Sequence, residues 1–418
     1  VTSTALLFTS GEKLRDELDQ APNPKPTTSD KARFGKLASL YTAFSCDFAA
    51  YVLDICLRAG FNKIADPFCG MGTLADAGRT LPISLHVGDI SPFAALSGAF
   101  RAAHREEIEE SAAMLGRLAE NITADDERIF FTQLFLALGA SERSPLGRVL
   151  SEPSVPEHRV TAFTIYLTAL SRIRLYRSLA GSNPTWIKRP AVAADGVSTL
   201  ESIKTTIAAG REFADRLPNL HPENHTTSIW TSIEDQKIVP ESFDAIVTSP
   251  PYANRTDYFR HYRPATELLL AMAGRDERLL RAQQIGTPLI RDAKPERPLP
   301  TSVLDVLHSI RAHPSYASER YYYKGFLYYF ADMSDALVRM HGWLRHGGLL
   351  FMVVQDSYYK EVHVPTADIL IDLAIAVGFH LAGRRDWRVQ QRLSHLSPYS
   401  RGVLPNRNLS ESVVVLSK

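Results

Sequence analysis

Cysteine is scarce: the 418 residues hold three, Cys46, Cys56 and Cys69, and no two have the CxxC spacing. That excludes a disulfide scaffold and a cysteine-rich zinc site, and it fits a reducing, cytoplasmic setting. Long apolar runs are missing as well. No stretch reaches the roughly 18–20 residues that span a bilayer, and no charged-then-apolar segment opens the chain, so no membrane partner is expected. An excess of charge of one sign is also absent, since 47 basic and 46 acidic residues leave a net +1. A nucleic-acid surface, if there is one, must therefore be local. No internal repeat or low-complexity tract is visible. His221 and His225 have the i, i+4 spacing of a helical ligand pair, but Pro222 and Asn224 between them read as loop, so no metal is expected.

What is present is apolar residues enough (45%) to bury a sizeable core, in a chain long for one compact domain. Residues 1–33 are polar and contain Ala21-Pro22-Asn23-Pro24-Lys25-Pro26, which reads as a lead-in or strapping arm. Helical spacing (Phe44, Phe48, Tyr51, Val52, Ile55) predicts a helix from Phe34 to Ala59. A short strand, Lys63-Ile64-Ala65, then runs into a glycine-rich turn, a helix to about Arg79, and a second strand over Leu85–Gly88 that ends at Asp89. This is the layout of a nucleotide-binding βαβ half.

Residues 93–225 carry helical periodicity (Phe130, Phe131, Leu134, Phe135, Leu138, then Phe163, Tyr166, Leu167, Leu170) and read as a mostly α-helical insertion. Its length exceeds what a connection requires, which suggests a recognition or partner-binding lobe. The α/β rhythm returns over residues 226–418. Strand Phe243–Val247 empties into Thr248-Ser249-Pro250-Pro251-Tyr252, and a helix over Tyr323–Leu344 stops at His346-Gly347-Gly348 to feed strand Leu349–Val354. A helix over Ala367–Val377 and strands near His380–Asp386 and Ser412–Leu416 close the chain. The expected fold class is α/β: one mainly parallel sheet with helices on both faces and a mostly α-helical insertion. Residues 34–92 would be its cofactor-binding half and 226–418 its catalytic half.

Asp66-Pro67-Phe68-Cys69-Gly70-Met71-Gly72-Thr73 sits where a parallel strand gives way to a helix. Glycines there let the backbone approach a ligand that any Cβ would push away. A phosphate-binding turn would want a lysine, and none follows Gly72. An acid leads the turn instead, and Asp66 repels a pyrophosphate while attracting an ammonium. The cofactor suggested is a cationic amino acid joined to a nucleoside, which describes S-adenosylmethionine. Asp89, at the end of the next strand, is placed to accept hydrogen bonds from its ribose hydroxyls, and Ile90 beside it joins the cofactor-binding set.

Thr248, expected among the cofactor-binding residues, and Ser249 to Tyr252, expected to be catalytic, lie on the same sheet edge. The amino group of cytosine or adenine is a poor nucleophile because its lone pair is delocalised into the ring. Accepting hydrogen bonds from both amino hydrogens localises it, and the Ser249 side chain and the Pro250 carbonyl can supply those acceptors. Pro250 and Pro251 stiffen the turn, and Tyr252 can stack on an extruded base.

Asp66–Thr73 together with Ser249–Tyr252 resembles the amino-methylating branch of the DNA methyltransferases, with its DPFxGxGT-type cofactor loop and [S/D/N]PP[Y/F] tetrad. The resemblance covers roughly residues 34–92 and 228–418 and implies a Rossmann-like fold, S-adenosylmethionine as cofactor and DNA as partner. Serine at the head of the tetrad implies cytosine N4; aspartate or asparagine there goes with adenine N6. The segment Tyr41-Thr42-Ala43-Phe44-Ser45 takes the place of the family's stretch around the methionine end of the cofactor, which adds Tyr41 and Phe44 to the cofactor-binding set. One departure stands out. The strand Ser228-Ile229-Trp230-Thr231-Ser232 lacks the acid usual near the adenine ring, with none until Glu234.

A nucleic-acid surface is expected from Arg384, Arg385, Arg388, Arg392, Arg401 and Arg407, interleaved with Trp387 and Tyr399. Arg255, Arg260 and Arg263 add to the same rim. Cytosine C5 methylation is excluded because no cysteine follows a proline. An RNA guanine-N2 enzyme would share the DPFCGxGT turn but normally shows Asp-Pro-Pro-Tyr. A non-catalytic subunit that kept the fold is the alternative of a different class.

Overall fold

The computed structural model describes residues 11–30, 37, 44–123, 126–138, 143–178, 187–188, 198–253, 259, 262–290, 295–389 and 409–418. Alternation of side chains decides the architecture. Ile64, Ala245, Val247, Phe351, Val353, Val413 and Val415 point to one apolar layer, while Ala65, Ile246, Leu350, Met352, Val354, Val414 and Leu416 point to the opposite one. A period of two that is apolar on both sides needs covering on both sides.

The strands of the central sheet are β1 Lys63–Asp66, β2 Ser84–Asp89, β3 His225–Trp230, β4 Phe243–Thr248, β5 Leu344–Gln355, β6 His380–Arg388 and β7 Ser410–Ser417. They form one seven-stranded sheet in the order β6-β7-β5-β4-β1-β2-β3. All pairs are parallel except those of β7, which runs antiparallel between β5 and β6. The strand order reverses between β1 and β4, and a crevice outside their carboxyl ends is where such sheets bind ligands.

The helices are α1 Gly11–Gln20, α2 Cys46–Arg58, α3 Thr73–Gly78, α4 Pro92–Arg101, α5 Arg105–Glu120, α6 Glu127–Ala137, α7 Arg143–Ser151, α8 Arg159–Arg174, α9 Thr199–Arg216, α10 Arg263–Ala273, α11 Glu277–Gln283, α12 Thr301–Ala312, α13 Lys324–Trp343 and α14 Thr366–Val377. α2 and α3 cover one face; α12, α13 and α14 cover the other. α4 covers the β2–β3 end, α8 and α9 stack on it through Phe163, Tyr166 and Phe213 around Phe100, and α5 packs against α8 and α9. Every residue of α8 from Ala162 to Ser171 is buried, so it is the axis of the helical block. Among the described residues no helix is long and apolar enough to cross a membrane.

Two local readings are corrected. The described part of the helix expected from Phe34 begins at Cys46. His346-Gly347-Gly348 is not a helix stop: α13 ends at Trp343, and β5 already starts at Leu344. The glycines lie inside the strand, where Gly347 has φ +72° and its N–H donates to the Lys418 carbonyl at 3.0 Å. A Cβ on Gly348 would sit 2.9 Å from the carbonyl oxygens of Asp244 and Arg345, so glycine is required by the close approach of β4.

Residues 11–30 form a strap against the sheet. Leu14 and Leu18 of α1 are buried in the α2-side layer. The Arg385 guanidinium donates to the Leu18 and Ala21 carbonyls at 2.6 and 2.9 Å, satisfying acceptors that the end of α1 leaves open. The strap then returns to α2: the Ser45 N–H donates to the Pro24 carbonyl at 2.6 Å and the Cys46 N–H to Asp30 at 3.0 Å.

Candidate active site

β1 ends on Asp66, only 1% exposed. Its Oδ1 accepts the Thr248 hydroxyl at 2.6 Å and the Phe68 N–H at 3.2 Å. Its Oδ2 is buried and meets no donor. Burial pushes the Asp66 carboxyl up to about 7, aided by the nearby Asp89 charge and opposed by the Thr248 and Phe68 bonds. A buried carboxylate oxygen without a donor is costly for a fold to keep.

After Asp66 the chain turns through Pro67 and half-buried Phe68. Gly70 (φ +50°) and Gly72 (φ +77°) both occupy the left-handed region. A Cβ on Gly72 would fall 2.8 Å from the Gly98 Cα, so the turn rests directly on the α4 backbone. The Met71 carbonyl accepts the Ser97 hydroxyl at 2.9 Å and the Arg101 Nε–H, and Ser97 in turn accepts the Tyr166 hydroxyl at 3.1 Å. The helical block thus braces the turn, a role for Ser97, Arg101 and Tyr166 that linear spacing did not disclose. Thr73 opens α3 with its hydroxyl buried and without a partner.

Asp89 closes the cradle. Its Oδ2 accepts the Gly70 N–H at 3.0 Å and its Oδ1 the Ser91 N–H at 2.8 Å. Burial raises this carboxyl to about 6 against the lowering effect of the Ser91, Gly70 and Ile90 N–H groups. A carboxylate has about four lone-pair sites, so with three N–H groups against it some capacity for a further donor remains. The Ile90 carbonyl accepts the Trp230 indole N–H at 2.9 Å, which fixes the end of β3 beside it. Beyond Trp230, the Ser232 hydroxyl donates to Asp235 at 2.8 Å; this acid, not Glu234, is the one folded back toward the strand end. Phe44 is buried edge-on to Phe48, with ring centroids 6.0 Å apart. Tyr41 lies outside the described residues.

The β4 end is built differently. The Ser249 hydroxyl donates to the Val353 carbonyl of β5 at 3.0 Å, which directs its proton away and leaves Oγ as an acceptor. Pro250 is buried. The Pro251 carbonyl accepts the Tyr329 hydroxyl of α13 at 2.9 Å, and the Ala253 carbonyl accepts the Ser357 hydroxyl at 3.1 Å. Tyr252 is half-buried, and its hydroxyl donates to Glu411 of β7 at 3.1 Å. Tyr329, Ser357 and Glu411 were not singled out by the sequence, because each sits in an element remote along the chain.

The basic segment divides. Arg384 is bound to Asp368 and Asp386, and Arg385 holds the α1 carbonyls with its guanidinium 4.7 Å from the Trp387 ring centroid. Arg388 ends β6. Arg263 pairs with Glu267 at 2.7 Å. Arg255, Arg260, Arg392, Arg401 and Arg407 lie outside the described residues. Among the described residues no group of three or more His, Cys, Asp or Glu side chains comes together as a metal site.

Comparison with known proteins finds Type II methyltransferase M.AvaI of Nostoc sp. and its counterpart of the same name from Anabaena variabilis, each 30% identical over 165 residues. The match covers 35% of this chain and 33% of each relative, so the chain spans about a third of the length of the curated relatives it matches. No family model and no solved structure matches the chain. The sheet is that of a Rossmann-like methyltransferase, and over the matched stretch the chain is similar to type II methyltransferases.

Proposed function

We propose that this protein is an S-adenosylmethionine-dependent methyltransferase acting on an exocyclic amino group of a DNA base, cytosine N4. The observation that carries the reading is the 2.6 Å bond from Thr248 to Asp66. It brings a buried, half-satisfied carboxylate and the Ser249–Tyr252 turn to one crevice. The residues fit the cofactor: Asp66 Oδ2 lacks a donor that an amino-acid ammonium would supply, Gly70 and Gly72 give the turn its left-handed backbone, and Asp89 retains acceptor capacity for a ribose hydroxyl.

When bound, S-adenosylmethionine supplies a methyl group on a sulfonium centre. The protein's part is alignment, since in-line displacement needs no covalent enzyme intermediate. Ser249 Oγ and the Pro250 carbonyl accept from the two amino hydrogens of the base, which localises the nitrogen lone pair. Tyr252 offers its ring to an extruded base. Serine at the head of the tetrad favours cytosine over adenine on the family resemblance. DNA phosphates are assigned to the arginines of 390–408 with Arg388 and Arg255, and recognition of sequence or of a partner protein to the helical block over 93–225.

The test is expression of the wild type and a Ser249→Ala, Tyr252→Ala double variant in a host lacking DNA methylation, with modified nucleosides quantified by mass spectrometry. N4-methylcytosine is expected with the wild type, and at most about 1% of it with the variant. N6-methyladenine would overturn the choice of base, methylated RNA the choice of polymer. No modified nucleoside would favour a non-catalytic subunit.

A further inference from the structure

One buried acid touches the tetrad and has no part in the mechanism above. Glu411 is the second residue of β7, 8% exposed, paired with Gln355 of β5 on one side and Trp387 of β6 on the other. A strand flanked on both sides is a poor place for a carboxyl, and the ladder itself makes no use of one. Ser412, Val413, Val414 and Val415 continue the same strand with no acid. The Glu411 side chain reaches Tyr252, whose hydroxyl donates to Oε1 at 3.1 Å. Burial raises the Glu411 carboxyl, while the Tyr252 bond and the positive charge of Lys25 in the strap favour its ionised form.

We propose that Glu411 is a positioning residue of the tetrad: it fixes the hydroxyl end of Tyr252 so that the ring is held ready for the base. The inference rests on the methyltransferase reading. Three further contacts at this turn, Ser249 to Val353, Tyr329 to Pro251 and Ser357 to Ala253, hold a hydroxyl rotor and the backbone. None of these three is made by the Tyr252 side chain. Fixing the far end of a side chain with two rotatable bonds leaves it little freedom, and alignment is what in-line transfer needs. Glu411 touches Tyr252 and not the reacting atoms.

The experiment measures transfer of labelled methyl groups from S-adenosylmethionine to unmethylated bacterial genomic DNA by the full chain. Glu411→Ala, Glu411→Gln, Tyr252→Phe and the Glu411→Ala, Tyr252→Phe double variant are compared with wild type, with S-adenosylhomocysteine affinity measured alongside. Glu411→Ala is expected to lower kcat about tenfold or more, as loss of a hydrogen bond to a charged group does, with affinity for S-adenosylhomocysteine unchanged. Glu411→Gln keeps an acceptor and should recover to within about threefold of wild type. Tyr252→Phe should match Glu411→Ala, and the double variant should be no slower than either, because one interaction is lost once. Wild-type kcat in Glu411→Ala, equal loss in Glu411→Gln and Glu411→Ala, multiplying losses in the double variant, or a parallel loss of S-adenosylhomocysteine affinity would each overturn the inference while leaving the methyltransferase reading intact. A wild type that methylates nothing overturns both.

Discussion

At the end of β1 a buried carboxylate oxygen meets no donor, whereas one strand away, at the end of β4, Thr248, Ser249, Pro251 and Tyr252 each already have a partner within the protein. On the proposed function the two halves of the crevice serve different tasks. An open valence in a dry place attracts an ion of the opposite sign and holds it by charge. A turn held by hydrogen bonds to its neighbours carries no charge to attract an ion; it offers a fixed shape, with Ser249 Oγ and the Pro250 carbonyl still able to accept, which is what alignment of two reactants requires. The separation can be broken by substitutions that alter one strand end and leave the other alone.

The largest expected effect is at Asp66. Asp66→Asn keeps an acceptor for Thr248 and Phe68 but removes the charge, so affinity for S-adenosylhomocysteine, which carries the same ammonium, should fall about 10- to 100-fold in calorimetry. The pH dependence has a definite sign. The folded value of about 7 lies above the ordinary 3.8, so the acid form favours the ligand-free fold. That stabilisation is present in full below about pH 4 and is lost as the pH rises through 7. Wild-type affinity should run the opposite way, weakening about tenfold for each unit below pH 7 as the carboxylate protonates. The Asn variant should lose the part of both trends that belongs to Asp66 and keep only the weaker one from Asp89, whose carboxyl is raised to about 6. A wild-type affinity flat between pH 5.5 and 8 would sink the assignment of Asp66 to a cation.

Much of the β1 end was legible in the sequence because its requirements are local. Two glycines with positive φ, an acid at the head of the turn and a second acid on the next strand fall within one βαβ stretch. The tetrad motif likewise stands in one short stretch, and the alternation of strands with helices along the chain disclosed the covered sheet. What holds the tetrad was not legible. Tyr252 and Glu411 are 159 residues apart, Ser249 and Val353 are 104 apart, and each partner is unremarkable in its own element. The misread glycines at 347 and 348 show the converse. Gly-Gly after a helix is a local stop signal, but pairing with Lys418 and the crowding of Asp244 decided their place. Arg384 and Arg385 were legible as charge and not as contacts, since Asp368 and the α1 carbonyls come from distant segments.

A smaller effect should separate shape from charge at the β1 end. Gly72→Ala places a Cβ at φ +77° and 2.8 Å from the Gly98 Cα, a backbone atom that cannot swing aside. Gly60 has the same φ, yet a Cβ there meets nothing within 4 Å. Gly60→Ala should thus cost about 1 kcal/mol, the left-handed penalty alone, and Gly72→Ala about 2–3 kcal/mol, both read from denaturant unfolding. The excess at Gly72 measures how firmly the turn rests on α4. Equal losses at the two sites would mean that α4 gives way and that the helical block does not brace the cradle.

The smallest effect tests the β4 end on its own terms. Tyr329→Phe deletes the hydroxyl that donates to the Pro251 carbonyl and keeps a ring of the same shape in a site that is 2% exposed. The lost bond is worth about 1 kcal/mol, or roughly fivefold in kcat if it serves to hold the turn in its working geometry. Affinity for S-adenosylhomocysteine should not move, because no charge at Asp66 is touched. If kcat and affinity fall together, the disturbance has crossed the Thr248–Asp66 bond, the one link between the two strand ends described above. The crevice would then act as a single rigid unit, and the division between a charged seat and a shaped seat would be a property of where the partners lie rather than of how they work.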